Sequence, residues 1–542
     1  MRILLIIVLN NILLADHLKY IPFDFGSQFG YVSKSGALLW NQDWYSNKLL
    51  FDGTWLNFPK MYGLEIEHDD FKKNIQITSD SSMVKSYFIY EQGDYLLDKF
   101  TLGLNYTNNF RNIKLYGFKR NYSGPYNQYL SKINQPNQQS YILSYDSFKD
   151  FEFGGFTIGH FNTYTGIPDL NINSLGLIDN KITSLNLFYN RRYNNIKLKT
   201  IIDQFMQRYK VEHSKSFFEG VRYLNRSNFL FGIELFKNYE DYNDYFDFKI
   251  KYNSRNVRMN IYNSVDWLQA NLIANKEWGY ADFGIINLNN QIKFDYKIGI
   301  NKKINSLKGN FEYSRISQIS HPYYYFYRSG VDSNSIYQRS SIKSKLLWSN
   351  QKKKAFISFI KFQELENNFL EIIYSNQRST DHKMINSFMV FECYYRTNLF
   401  SLFELEINYT QQDPKGYYSG GYGNWLQFNT YLKTKSFNDL MKIDFILGLN
   451  HIGNRRNSSN LNYIEMVPGY DFSYEKLEDI NFLNSSISIS VSDFIIKYEW
   501  KNLTEIILSS INSDENNLIS FHSDFQPIVR QVNLSIEWHF QD

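Results

Sequence analysis

The sequence predicts an all-β protein, a single large closed antiparallel transmembrane β-barrel of about 26 strands, within a range of roughly 22 to 30. Three observations carry that expectation. The last segment of the chain alternates apolar and polar residues without a fault. No stretch beyond the N-terminus is apolar enough for a membrane helix, although 18% of the residues are aromatic. Short and long connections between the alternating segments also succeed one another in a fixed rhythm.

The final segment is the clearest. In 531–540 the even positions Val532, Leu534, Ile536, Trp538 and Phe540 are apolar, and the odd ones are Gln, Asn, Ser, Glu and His. Successive strand side chains point to opposite faces, so this piece presents one greasy and one polar surface. A terminal strand of that kind invites aggregation as a free edge, and closure of a barrel removes the edge. The segment resembles the C-terminal assembly signal of bacterial outer-membrane β-barrels, an alternating strand ending in an aromatic residue. The two residues after Phe540, Gln541 and Asp542, depart from the pattern in which the aromatic is last. The resemblance implies outer-membrane lipid and the barrel-assembly machinery as partners.

Residues 1–15 read as a secretory signal peptide: Arg2, an apolar run from Ile3 to Leu14 broken by Asn10 and Asn11, and Ala15 before Asp16. The run is shorter than the roughly 20 apolar residues of a spanning helix. Residues 16–542 are expected to form the barrel, because no Pro, Gly or Ser linker, charge block or shift in composition divides them. The alternating texture starts near residue 28.

Composition fits a wet-lumened barrel. Forty-four Tyr, 45 Phe and 9 Trp stand in a chain whose mean hydropathy is −0.44, a pairing that aromatic girdles, polar loops and a hydrated interior reconcile. Nine prolines leave long ladders uninterrupted. The single cysteine, Cys393, excludes an intrachain disulfide. With 58 Lys and Arg against 54 Asp and Glu, the balance carries no nucleic-acid footprint.

Individual strands show the period of two. Ile292, Phe294, Tyr296, Ile298 and Ile300 alternate with Gln291, Lys293, Asp295, Lys297 and Asn301; Phe403, Leu405, Ile407 and Tyr409 alternate with Glu404, Glu406, Asn408 and Thr410. Similar rows occur in 245–252 and 441–449. A lipid-facing Lys or Arg at mid-membrane costs about 2–4 kcal/mol, so in a bilayer the charges turn inward. Lys293, Asp295, Lys297, Glu404 and Glu406 are therefore the candidate lumen-facing residues. Soluble sandwiches share the period, so periodicity alone leaves both readings open.

Connections supply a second argument. Working back from the end, long connections near 511–528, 451–480 and 411–423 are separated by tight turns at Ser492-Asp493, near Phe437 and at Thr397-Asn398. Farther back, loops near 120–138 and 162–180 fall on the same side, opposite tight turns at Asn108-Asn109 and Lys149-Asp150. Outer-membrane barrels show this rule, with short turns on the periplasmic side. Trp348, Trp425 and Trp538 then lie near an interface, where aromatic belts form; Trp40, Trp44 and Trp55 fit less cleanly.

Chemical motifs are few. There is no G-x-S-x-G, H-E-x-x-H or P-loop, so no enzyme activity is expected. His68-Asp69-Asp70 and the acidic stretch Glu240, Asp241, Asp244 and Asp247 read as solvated loop charges, and neither a metal nor a cofactor is expected. The loop sequences around Tyr323 and Tyr324, and around Tyr417, Tyr418 and Trp425, are candidate binding rings suited to sugar stacking or a partner surface; packing over the barrel mouth is their simpler role.

A second resemblance lies in Phe494-Ile495-Ile496-Lys497-Tyr498-Glu499-Trp500-Lys501-Asn502-Leu503-Thr504. This stretch is similar to the penultimate strand of TonB-dependent receptor barrels, with its Asn-Leu-Thr-like tail. Those receptors carry a long N-terminal plug, for which the early onset of alternation leaves no room. The functions implied are a porin-like channel for small hydrophilic solutes or a plugless TonB-dependent-receptor-like transporter component. A barrel-anchored surface binding or adhesin protein is the non-transport alternative, and a homo-oligomer or a partner protein is compatible with each.

Overall fold

The computed structural model describes residues 83–123, 127, 137–149, 151–166, 177–213, 220–238, 244–258, 262–319, 336–350, 352–364, 387–399, 402–412, 423–438, 440–456, 461–462, 467–468, 476–504 and 530–541, together with the dipeptides 19–20, 31–32 and 38–39. The signal-peptide segment, His68-Asp69-Asp70, Trp40, Trp44 and Trp55 lie outside them.

Twenty-two strands form one closed antiparallel ring. In chain order they are β1 (Met83–Gly93), β2 (Leu97–Thr107), β3 (Arg111–Asn121), β4 (Asn137–Lys149), β5 (Glu152–Thr165), β6 (Leu177–Tyr193), β7 (Ile196–His213), β8 (Gly220–Asn238), β9 (Tyr245–Arg258), β10 (Tyr262–Lys276), β11 (Gly279–Leu288), β12 (Gln291–Ile304), β13 (Leu307–Ile319), β14 (Ile336–Ser349), β15 (Lys353–Glu364), β16 (Ser387–Asn398), β17 (Phe403–Gln412), β18 (Asn424–Ser436), β19 (Met441–Gly453), β20 (Ile480–Val491), β21 (Phe494–Lys501) and β22 (Gln531–Gln541). Each strand pairs with its sequence neighbours, and β22 returns to pair with β1 from Asn533↔Gly93 to Gln541↔Lys85. No sheet edge is left in the ring.

The count of 22 sits at the low end of the expected range rather than at 26. The ring begins at Met83, not near residue 28; the described dipeptides Lys19–Tyr20, Tyr31–Val32 and Leu38–Leu39 form a small separate sheet. Alternation is a local property and membership of the ring is not, so aromatic alternating sequence ahead of Met83 reads as strand whatever it does. The turn expected at Thr397-Asn398 is displaced for the same reason. Asn398 still pairs with Glu404, and the connection is 399–402.

Because every pairing is antiparallel, alternate connections leave the ring at the same end. One end carries only short connections of two to six residues, among them 150–151, 194–195, 305–306 and 492–493. The other carries 122–136, 166–176, 320–335, 365–386, 413–423, 454–479 and 502–530. Asparagine suits the tight turns because its short polar side chain tolerates positive φ: Asn289 and Asn290 (φ 48° and 65°) join β11 to β12, and Asn305 (φ 52°) joins β12 to β13.

The convex face of the ring is apolar. On β12, Ile292, Phe294, Ile298 and Ile300 are exposed, Phe294 at 64%, whereas Asp295 between them is 8% exposed. The same division holds on β8, where Phe231, Ile233 and Leu235 are exposed and Glu234 is buried, and on β9, where Phe246, Ile250 and Tyr252 alternate with buried Asp247. A soluble fold would bury the greasy row instead; this one displays it around the barrel, as a lipid-facing wall does. Among the described residues no helix is long and apolar enough to cross a membrane.

Candidate functional site

Two regions concentrate specific contacts: the seam where the ring closes, and the polar face of the strands.

At the seam, β22 lies between β21 and β1. Leu534, Trp538 and Phe540 are exposed on the convex side, with Val532 and Ile536 half-buried in the same row. Trp538 stacks on Phe540 (4.8 Å between centroids), packs against Phe88 of β1 (6.0 Å) and meets Phe494 of β21 edge-on (6.2 Å). One ring cluster thus spans all three strands. The opposite row is polar and tightly held. Asn533, 1% exposed, donates to Glu91 Oε1 (3.4 Å) and accepts from Gln531 Nε2 (2.9 Å), and Tyr122 donates to Gln531 Oε1 (3.2 Å). Asp94 takes the Val532 N–H on its carboxylate (2.8 Å) and gives its own N–H to the Val532 carbonyl (3.0 Å). Gly93 sits where a Cβ would fall 2.6 Å from the Val532 carbonyl oxygen, so β1 and β22 close to this distance only over a hydrogen.

Three ionic groups stand out among the described residues on the polar faces of β7 to β19. Lys249 bridges Glu234 (2.5 Å) and Asp247 (2.9 Å). Glu312 receives Lys297 and Lys343, each at 3.3 Å, and the Tyr280 hydroxyl. Arg396 pairs with Glu404 (2.5 Å), while Tyr394 donates to Glu406 (3.3 Å) and stacks on Phe356 (5.1 Å). Each group joins neighbouring strands, and in each an ion is matched by a partner, as the burial of charge requires.

Lys293, Asp295 and Lys297 occupy the polar row of β12, opposite Phe294 and Ile298. Asp295 accepts the Ser317 N–H (2.7 Å), and Lys297 lies 5.3 Å from the Tyr280 ring centroid. Glu404 and Glu406 lie on the polar row of β17. Trp425 is 5% exposed at the start of β18, its indole N–H donating to Asn450 (3.3 Å), so its ring is packed and not displayed. Tyr323, Tyr324, Tyr417 and Tyr418 lie outside the described residues, as do Glu240 and Asp241. Asp247, which ends the acidic stretch and also falls in the alternating row 245–252, lies in β9 as a partner of Lys249. The residues that sequence reading missed are Gly93, Glu91 and Asp94 on the first strand and its turn. Their part in closure depends on pairing with the far end of the chain, of which no local pattern speaks.

No family model matches the sequence, and no curated protein matches it. Solved structures do. The iron transporter FrpB of Neisseria meningitidis (F5-1 variant) superposes with a TM-score of 0.61 at 7% identity, over 85% of this chain and 82% of that one. The copper transporter OprC gives 0.60 at 9% identity over 85% and 80%, and the siderophore receptor PirA of Pseudomonas aeruginosa 0.56 at 7% identity over 85% and 81%. The fold is therefore that of the TonB-dependent outer-membrane receptor barrels, and it is consistent with a place in the bacterial outer membrane.

Proposed function

We propose that the chain is an outer-membrane transport barrel whose polar wall conducts small hydrophilic solutes across the bilayer. The observation that carries this reading is the closed ring of 22 strands with an apolar convex face and ion-paired polar rows opposite it. In a barrel of this width the inward row lines a space large enough for solutes, and its ionic groups set what passes. On this reading Lys293, Asp295, Lys297, Glu404 and Glu406 face the lumen, and β22 is the element that the barrel-assembly machinery recognises. Whether passage is passive, as in a porin, or part of a TonB-dependent-receptor-like transporter is a question of gating; the likeness to metal and siderophore transporters favours the second. Segregation of every long connection to one end favours a further reading, in which those loops bind a partner at the cell surface and the barrel anchors them.

Single-channel recording of the detergent-folded protein in a planar bilayer tests this reading. Discrete ion-conducting steps are the expected result. A correctly folded, heat-modifiable barrel that stays silent would overturn passive conduction and favour the gated transporter or the anchor.

A further inference from the structure

The inner row of four neighbouring strands, β12 to β15, is cationic at every level from mid-strand to the tight-turn end. The ladder pairings fix the levels. Lys297 is opposite Ser314, which is opposite Ser341. Lys343, two residues along β14, is opposite Glu312, and Lys345 is opposite Asn310. Next comes Lys308, opposite both Leu347 and Lys303, and then Lys354, opposite Ser349. Alternate residues of a strand are about 7 Å apart, so the backbone positions of these lysines form rungs spaced at that interval along nearly 30 Å of strand.

On the same rungs of these strands stands one carboxylate, Glu312, and it is shared by Lys297 and Lys343. Lys345 lies 4.3 Å from the centroid of Phe356, a ring that is itself stacked on Tyr394. Lys303 and Lys308 face each other directly across β12 and β13, and among the described residues neither has a carboxylate partner. Like charges placed opposite on one face oppose strand pairing. Two amines held in that relation at the end of a lysine series make a site for an anion that neutralises both.

We propose that the wall formed by β12 to β15 is an anion track, which takes small multiply charged oxyanions and hands them from rung to rung toward the tight-turn end. This rests on the lumen reading above and names the class of solute. Lysine offers a mobile point charge and not the planar fork of arginine, so the track binds phosphate-bearing and polycarboxylate solutes by the same chemistry. Repeated weak sites allow entry without trapping.

The test uses the full-length, detergent-folded chain with tripolyphosphate and citrate as probes. A double variant, Lys303→Gln with Lys308→Gln, is compared with Lys85→Gln and Lys114→Gln, which removes the same charge from β1 and β3. Calorimetric titration reads binding directly, and bilayer recording reads anion preference and block. The expected result is binding of at least one probe, weakened at least tenfold in the first variant and less than twofold in the second, with heat-modifiability kept in both. A tenfold preference for one probe identifies phosphate or carboxylate as the source. Equal weakening by both variants, or no binding of either probe to the unaltered protein, overturns the proposal. Binding that follows the expected pattern in a protein that never conducts supports the track and defeats passive conduction alone.

Discussion

Gly93 and Asn533 face each other across the seam where the last strand meets the first, and the Asn533 side-chain oxygen fills the space that a Cβ on residue 93 would need. The Val532 carbonyl oxygen stands 2.6 Å from the same point. A side chain at 93 must therefore push against backbone that is already fixed by the two bonds between Asp94 and Val532.

Gly93→Ala should then loosen closure of the barrel. Overpacking of this kind costs about 1–3 kcal/mol, visible as a lower temperature for the gel-shift transition of the folded barrel. Asn533→Ser in the same background should recover part of the loss by removing the side-chain clash but not the carbonyl. A Gly93→Ala barrel as heat-resistant as the parent would show that the seam is not this tight.

Replacing Trp538 and Phe540 together by Ser should abolish accumulation in the outer membrane. Trp538 touches Phe540 on its own strand, Phe88 on β1 and Phe494 on β21, so the double change dissolves the cluster that joins the three strands. Each aromatic pair contributes roughly 0.5–1.5 kcal/mol beyond its burial, and the apolar row proposed as the assembly signal is also broken. Membrane fractions probed for the chain provide the measurement, and normal levels of the double variant would remove β22 from the role given to it.

Much of this architecture is legible in the sequence where the information is local. The alternation in 291–301 reads as a strand, and the structure places β12 there; Ser492-Asp493 reads as a tight turn and is one. What sequence conceals is distant pairing. Asn533 and Glu91 are 442 positions apart, and neither stands out until β22 lies beside β1. The overcount of strands has the same origin, since an alternating stretch counts as a barrel strand only when neighbours on both sides accept it. Trp425 shows the converse limit: a Gly- and Tyr-rich context suggests a displayed ring, while the packing of Asn450 beside it buries that ring.

Lys249→Met should destabilise the barrel more than removal of a surface lysine would. Glu234 and Asp247, both buried, then lose the cation that bridges them, and Lys199 opposite Glu234 is left as its cross-strand neighbour. Removing one partner of a buried pair costs about 3–5 kcal/mol, and water reaching the side chain of Lys249 screens the group and lowers the loss. Urea titration of the folded barrel in vesicles measures the loss. The triple variant with Glu234→Gln and Asp247→Asn added should recover most of it, because the uncompensated charges are gone. A triple variant no better than the single one would mean that Lys249 acts through packing.

The lipid-facing assignment of β12 yields a depth-dependent prediction. Ile298 lies near the middle of the strand and Ile304 at its tight-turn end, both exposed on the apolar row. A lysine at the bilayer midplane costs about 2–4 kcal/mol and near the interface about 0–1 kcal/mol, because a long side chain close to the edge carries its amine into water. Ile298→Lys should therefore lower folding stability in phosphatidylcholine vesicles far more than Ile304→Lys, and the gap should shrink in detergent micelles, whose apolar layer deforms around the charge. A soluble barrel, with water on this face, would tolerate both substitutions alike. Equal and small effects in vesicles would thus overturn the membrane-spanning assignment of the row, whatever the conductance shows.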